Sequence, residues 1–111
     1  MEVTTKELRR CDVVTTEGRI DSSTVEILAQ ALASIKEAGR YKIVLNMKDV
    51  TFISSIGLEE LVDTQKTCKH LKRGELVLAE VSPQIKKALD LAGLMPLFKI
   101  FDSEVEAVGS F

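Results

Sequence analysis

Short apolar runs alternate along this chain with stretches whose apolar residues recur at helical spacing, and that alternation leaves few folds open. Ile43, Val44, Leu45 and Met47 form a nearly continuous apolar run broken only by Asn46, the pattern of a central strand covered on both faces. Leu76 to Ala79 reads as a second buried strand and Leu97 to Phe101 as a last short one. Between them lie amphipathic segments with their own boundaries. Ser23-Thr24-Val25-Glu26 fits a capping box, Val25, Leu28, Ala29, Leu32 and Ile35 make one apolar face, and Gly39 is placed to end the helix. Leu58, Leu61, Val62, Cys68 and Leu71 mark the buried face of a second helix, with Gln65 as its polar interruption and Gly74 as its stop. Ser82 and Pro83 open a third helix, whose Ile85, Ala88, Leu89 and Ala92 face inward before Gly93. Ser103 to Glu106 forms another capping box and opens a short helix carrying Val105 and Val108. Ahead of all this, Glu2 to Leu8 and Cys11 to Thr16 read as a hairpin about Arg9-Arg10, with Gly18 punctuating the end of the second run.

Strand and helix in alternation specify parallel pairing through right-handed crossovers. The expected fold is therefore α/β: a small mixed, mainly parallel sheet with an N-terminal hairpin and about four helices. No linker, repeat or low-complexity segment divides residues 1–111, which read as one domain. A chain of this length buries roughly 65% of its unfolded surface, enough for a core without staples.

Composition removes several function classes. Apolar residues make up 45% of the chain, charged ones 29%, and the formal net charge is −2. Lys and Arg are scattered, Trp is absent and aromatics are 5%, so neither the charge footprint nor the stacking platform of a nucleic-acid binder is present. The basic group Lys69, His70, Lys72 and Arg73 reads as charges complementing a helix C-terminus. No stretch approaches the ~20 apolar residues of a membrane span, and the N-terminal MEVTTKELRR lacks the apolar centre of a signal peptide, so the expected location is cytoplasmic. Cys11 and Cys68 lack metal-ligand spacing and read as reduced thiols, with no metal and no cofactor expected. His70 stands alone as a surface charge.

The stretch Asp49 to Val62, DVTFISSIGLEELV, places Ser54 and Ser55 where a buried strand hands over to a helix. A helix N-terminus has unpaired N–H groups and the positive end of the helix dipole, so it suits either a capping hydroxyl or a phosphate. In open parallel sheets the functional site lies beyond the carboxyl ends of the strands. Asp21 follows one strand and the serines another, which puts them on one rim. That rim lacks the parts of an enzyme. There is no GxGxxG or GxxxxGK[ST] for a nucleotide, no GxSxG nucleophile elbow, and the single His lies at the far end of the same helix. Asp49, read as a carboxylate at the strand end, lacks the clustered acids of a magnesium-dependent phosphoacceptor. Gly57 costs roughly 1 kcal/mol against alanine inside a helix, so a reason such as close approach of another surface is expected for it.

The run TFISSIGL placed after IVLNMKDV resembles the signature of STAS-domain anti-sigma-factor antagonists. EGRIDSSTVEIL is similar to that family's Gly-x-hydrophobic-Asp turn and first helix, and LAEVSPQIKKALDLAGLMPLFKIFDS to its C-terminal third. The resemblance implies a small α/β sheet with helices on one side and a protein that works by binding, without catalysis. Unmodified, such proteins bind an anti-sigma factor that is also a serine kinase, so that a sigma factor is freed; phosphorylation ends the interaction and a phosphatase restores it. Carried onto this chain, the phosphorylated residue is Ser55, with Ser54 as alternative, and the partner surface is Asp21, Ser54, Ser55, Ile56 and Gly57. Two positions depart from the family pattern: Ser54 stands where an acidic residue is common, and Ile56 where a small or hydroxyl residue is frequent. Asp21, Glu59 and Glu60 lead to an expectation of a negative rim without a local Arg or Lys. A runner-up reading within the family is a constitutive subunit of a phospholipid-trafficking ABC transporter or of a stress-signalling complex. An enzyme using Asp49 or a serine is the reading from another class.

Overall fold

A computed structural model describes residues 1–111. Its sheet has five strands: β1 (Glu2–Glu7), β2 (Asp12–Ile20), β3 (Lys42–Ile53), β4 (Glu75–Ala79) and β5 (Ile100–Phe101). They lie in sequence order, β1 antiparallel to β2 and every later pair parallel. Strands laid down in one direction by crossovers of one hand must put all the crossover helices on one face. Accordingly α1 (Val25–Glu37), α2 (Ser55–Lys69) and α3 (Pro83–Leu91) share a single apolar cluster with that face. Its centre includes Leu28, Leu32, Ile43, Leu45, Leu61, Leu78 and Leu89, all without solvent exposure, each such side chain contributing about 1.5–3 kcal/mol. The opposite face is not bare, which corrects the expectation of helices on one side only. Val13, Val44, Val77 and Ala79 alternate onto it and pack against Ala107 of α4 (Glu104–Gly109).

The boundaries differ from expectation for identifiable reasons. β2 continues through Gly18 to Ile20, because Gly18 takes a left-handed φ of 93° inside an irregularity where the register shifts. The glycine marks a bulge, not an end. β3 likewise runs past Met47 to Ile53, so Asp49 lies within a strand and not at its end. The capping box of α1 does not form: Thr24 holds the N-cap position without a side-chain cap bond, while Ser23 Oγ donates to Asp21 Oδ1 and Thr24 Oγ1 donates to the Arg19 carbonyl. At the other end Gly39 does close the helix, with Arg40 N–H donating to the Ile35 carbonyl and Gly39 N–H to that of Lys36. α2 stops at Lys69 and gives way to a 3-10 turn, His70–Lys72, in which Leu71 adopts φ 57° and is 72% exposed. The helical periodicity that predicted Leu71 inside had already ended. Gly74 is not the helix stop; a Cβ there would collide with the Tyr41 carbonyl. β5 is two residues long because Met95–Leu97 forms a 3-10 turn, and Ala92 and Val105 are exposed. Gln65 is buried: its Nε2 donates to the carbonyls of Leu76 and Leu97 at 3.0 and 2.8 Å, and its Oε1 accepts the Leu76 N–H at 2.8 Å. The polar interruption thus ties α2 to β4 and to the turn before β5. No helix is long and apolar enough to cross a membrane.

Candidate functional site

β2 and β3 end side by side, with Ile20 opposite Ile53, and the chain leaves each strand at the same level. Ser54 N–H donates to the Ile20 carbonyl at 2.9 Å, so the turn after β3 is stitched to the turn after β2. Ser54 is the N-cap of α2, but its hydroxyl makes no cap bond and is buried without a partner. Ser55 is the first helical residue and is exposed. Two adjacent serines therefore differ sharply in access. The first backbone bond of the helix runs from Leu58 N–H to the Ser54 carbonyl at 3.0 Å, leaving the N–H groups of Ser55, Ile56 and Gly57 ahead of any intrahelical partner.

Gly57 is buried, and its reason is internal. A Cβ on it would lie 2.7 Å from Ile53 Cγ1, 2.8 Å from Ile20 Cγ2 and 3.3 Å from the Ile20 carbonyl. The bare backbone lets the first turn of α2 settle onto the paired strand ends. Ile56 turns outward, 43% exposed, and Ile27 in the first turn of α1 is 47% exposed. Asp21 shares the rim. Its Oδ1 accepts the Ser23 N–H at 3.0 Å and the Ser23 hydroxyl at 2.7 Å, with Thr24 Oγ1 3.2 Å away, while its carbonyl accepts the N–H groups of Thr24 and Val25. Hydrogen bonds from the Ser23 side chain and backbone hold the Asp21 carboxyl below its ordinary pKa.

The rim also carries what the sequence reading missed. Arg19 pairs with Asp21, Nε to Oδ2 3.4 Å, and its guanidinium lies 4.2 Å from the centroid of the Phe52 ring. The rim is thus of mixed charge, correcting the expectation that it lacks a local Arg or Lys. Glu59 is exposed, whereas Glu60 accepts a hydrogen bond from the Thr64 hydroxyl, and neither lies in the first turn of α2. The Arg19-Phe52 pairing follows from register, since the two residues face each other across β2 and β3; the bulge at Gly18 hid that alternation in the sequence. Beside Ser55, a groove of about 350 Å³ is lined by Leu58, Glu59, Val62 and Lys66 of α2 and by Leu94. Asp49 is not brought to the serines. It lies well down β3 opposite Glu17, which itself faces Glu2; a hydrogen bond with Glu2, and then like-charge repulsion, raises the Glu17 pKa. No group of three or more His, Cys, Asp or Glu residues is arranged to hold a metal.

Comparison with known proteins gives a consistent outcome. The STAS domain family model matches residues 2–107. The anti-sigma F factor antagonist of Paenibacillus polymyxa is 29% identical over 97 residues, spanning 86% of this chain and 82% of that protein. The anti-sigma-B factor antagonist of Staphylococcus aureus is 30% identical over 90 residues, 80% of this chain and 82% of that one. Among solved structures, the anti-sigma factor antagonist SpoIIAA in its unphosphorylated form superposes with a TM-score of 0.82 at 20% identity, covering 98% of this chain and 95% of that one. The phosphorylated form of Bacillus SpoIIAA gives 0.76 at 20% identity, with 98% of each chain covered. At that identity the structural likeness establishes the fold alone.

Proposed function

The chain belongs to the STAS domain family, and from that premise we propose that it is an anti-sigma factor antagonist working as a phosphorylation-controlled binding switch in the cytoplasm. It acts by binding and catalyses nothing. Unmodified, it docks on an anti-sigma factor that is also a serine kinase, through Asp21, Ile56 and the Ser54-Ser55 turn, which Gly57 holds in place; a phosphatase resets it. The observation that carries this reading is the contrast between the two serines: Ser55 presents its hydroxyl to solvent at the first position of α2, whereas the Ser54 hydroxyl is buried. A kinase needs access to the oxygen it modifies, and this requirement favours Ser55 over Ser54. The exposed Ile27 and Ile56, together with the apolar wall of the neighbouring groove, supply a desolvatable surface beside it.

A phosphate on Ser55 adds about −1.5 to −2 charges at neutral pH. The first-turn N–H groups of α2 favour that charge, so the protein itself stays folded. Arg19 is already engaged with Asp21 and Phe52, and a partner shaped to a neutral hydroxyl meets a bulky dianion instead. A tenfold loss of affinity needs only about 1.4 kcal/mol. The test is incubation with candidate serine kinases and ATP, followed by phosphosite mapping and titration of the anti-sigma partner. Ser54→Ala should remain a substrate and Ser55→Ala should take up no phosphate. The phosphorylated protein should bind at least tenfold more weakly with an unchanged melting temperature. Labelling that survives Ser55→Ala, or equal binding of both forms, refutes the switch.

A further inference from the structure

At the opposite pole, the full length of β3 away from Ser55, lies a second concave site that the proposed switch does not use. A cavity of about 190 Å³ opens between the starts of β2 and β3, the end of α1 and the segment before β4. Four cationic side chains line it, Arg10, Arg40, Lys42 and Arg73, with Asp12 as the one carboxylate. Asp12 is buried and its Oδ1 receives Arg40 Nε, while Arg40 Nη2 donates to the carbonyls of Leu8 at 2.7 Å and Cys11 at 3.3 Å. Arg40 is thereby fixed in orientation, and its Nη1 donors are left over. Arg10, Lys42 and Arg73 take part in none of the ion pairs of the molecule. Arg73 is oriented too, its Nη1 donating to the Tyr41 hydroxyl at 3.0 Å and its guanidinium 5.1 Å from the Tyr41 ring centroid. A hydroxyl that accepts from Arg73 keeps its own proton to donate into the cavity.

Complementing helix C-termini does not account for this convergence. At the end of α1 the carbonyls of Ile35 and Lys36 are met by the Arg40 and Gly39 N–H groups, and none of the Arg10, Lys42 or Arg73 side chains hydrogen-bonds to a helix carbonyl. Four cations, two of them held in orientation, against one carboxylate that is paired with Arg40 describe a site for an oxyanion, and planar guanidinium groups match phosphate oxygens two at a time. Size narrows the class: the cavity is smaller than the ~300–1,000 Å³ of pockets that enclose drug-sized ligands. The geometry points to a binding site for a compact polyphosphate group, inorganic pyrophosphate or the diphosphate end of a small metabolite, held by Arg10, Lys42, Arg73, the free donors of Arg40 and the Tyr41 hydroxyl.

The test is a titration of the full chain with inorganic pyrophosphate at near-physiological salt, followed by calorimetry and by backbone amide NMR, with sodium chloride of matched ionic strength as the control. Saturable one-to-one binding is expected, with shifts confined to Arg10, Cys11, Gly39, Tyr41, Lys42 and Arg73. The Lys42→Ala/Arg73→Ala double variant should weaken it at least tenfold while keeping the melting temperature of the ligand-free protein, and the Ser55 variants should bind as the parent does. Shifts that spread over Lys66, Lys69 and Lys72 and are matched by chloride would reduce the site to a diffuse basic surface and overturn the proposal. So would attachment to phosphatidic-acid vesicles, sensitive to the same double variant, without any binding of free pyrophosphate.

Discussion

Replacing Gly57 with alanine sets two known effects against each other at one position. In an ordinary helix interior the change stabilises by roughly 0.8–1.0 kcal/mol, because glycine has the greater backbone freedom to lose. Here the added carbon would stand 2.7 Å from Ile53 Cγ1 and 2.8 Å from Ile20 Cγ2, closer than carbon atoms approach without displacement. Neither isoleucine has room to yield, since they are 6% and 0% exposed, and the branch atoms involved sit next to the backbone. Overpacking a dense core costs about 1–3 kcal/mol. The balance is a net loss of about 0–2 kcal/mol, or up to ~8 °C in melting temperature at about 4 °C per kcal/mol for a chain of this size. Gly57→Val adds further atoms to the same contact and should lose more. Gly109→Ala in α4 is the control, because a Cβ there meets nothing within 4 Å; it should be neutral or slightly stabilising. Denaturant unfolding of the three variants measures all of this. Gly57→Ala stabilised as much as a free helical glycine replacement would show that α2 does not rest on Ile20 and Ile53 as described.

Ser54→Ala should change stability by no more than about 0.5 kcal/mol in urea unfolding, since its hydroxyl caps nothing, whereas Ser103→Ala should cost about 1 kcal/mol because Ser103 Oγ accepts the Glu106 N–H at 3.1 Å. Gln65→Leu should destabilise by about 1–3 kcal/mol in the same assay, as it strands the buried Leu76 N–H. The Asp21 carboxyl has a folded pKa below its unfolded value, so its contribution to stability is present above about pH 4 and is lost as pH falls through the lower folded value. Asp21→Asn should flatten that part of the pH–stability profile, and carbon-detected NMR titration reads the pKa directly. Burial pushes the Cys68 thiol up to about 11 and raises that of Cys11, so both should react with a disulfide reagent only at the rate of unfolding.

Much of the fold was legible because the signals that specify it are local. The nearly continuous apolar run about Val44, the helical stripe Val25, Leu28, Leu32, Ile35, and the Ser82-Pro83 and Ser103 caps all reflect constraints within a few residues of one another, and all formed. Several misread features depend on partners distant in sequence, although the capping box before α1 failed locally, Ser23 and Thr24 bonding instead to Asp21 and Arg19. Gly18 and Gly74 look like stops, yet one sits in a bulge against β3 and the other backs onto Tyr41, contacts that no window around the glycine contains. Gln65 looks like an interruption for the same reason, its partners being Leu76 and Leu97. At the rim, Asp21 and the serines followed from topology alone, but Arg19 did not, because its pairing with Phe52 exists only once β2 and β3 are in register.

The geometry of the rim constrains how a switch at Ser55 has to operate. β3 overshoots β4, whose last residue pairs with Asn46, so near Ser55 only β2 stands beside it. That overhang is packed from below by Ile20, Ile53 and Gly57 and held by the Ser54-to-Ile20 backbone bond. A conformational switch requires an element with two arrangements of similar free energy. A first helical turn seated without clearance on two buried isoleucines is a poor candidate for one, since any rotation of α2 either collides with them or opens a void beside them. Modification of an exposed first-turn hydroxyl adds bulk outward, where no packed side chain stands in its way, and the like charge of Glu59 one turn along α2 is opposed by the free N–H groups of the first turn. For the switch proposed at Ser55, the difference between the two states would then lie on the outer surface around Ser55, Ile56 and Asp21, and its energetic consequence in the complex, through whatever partner group the neutral hydroxyl had admitted.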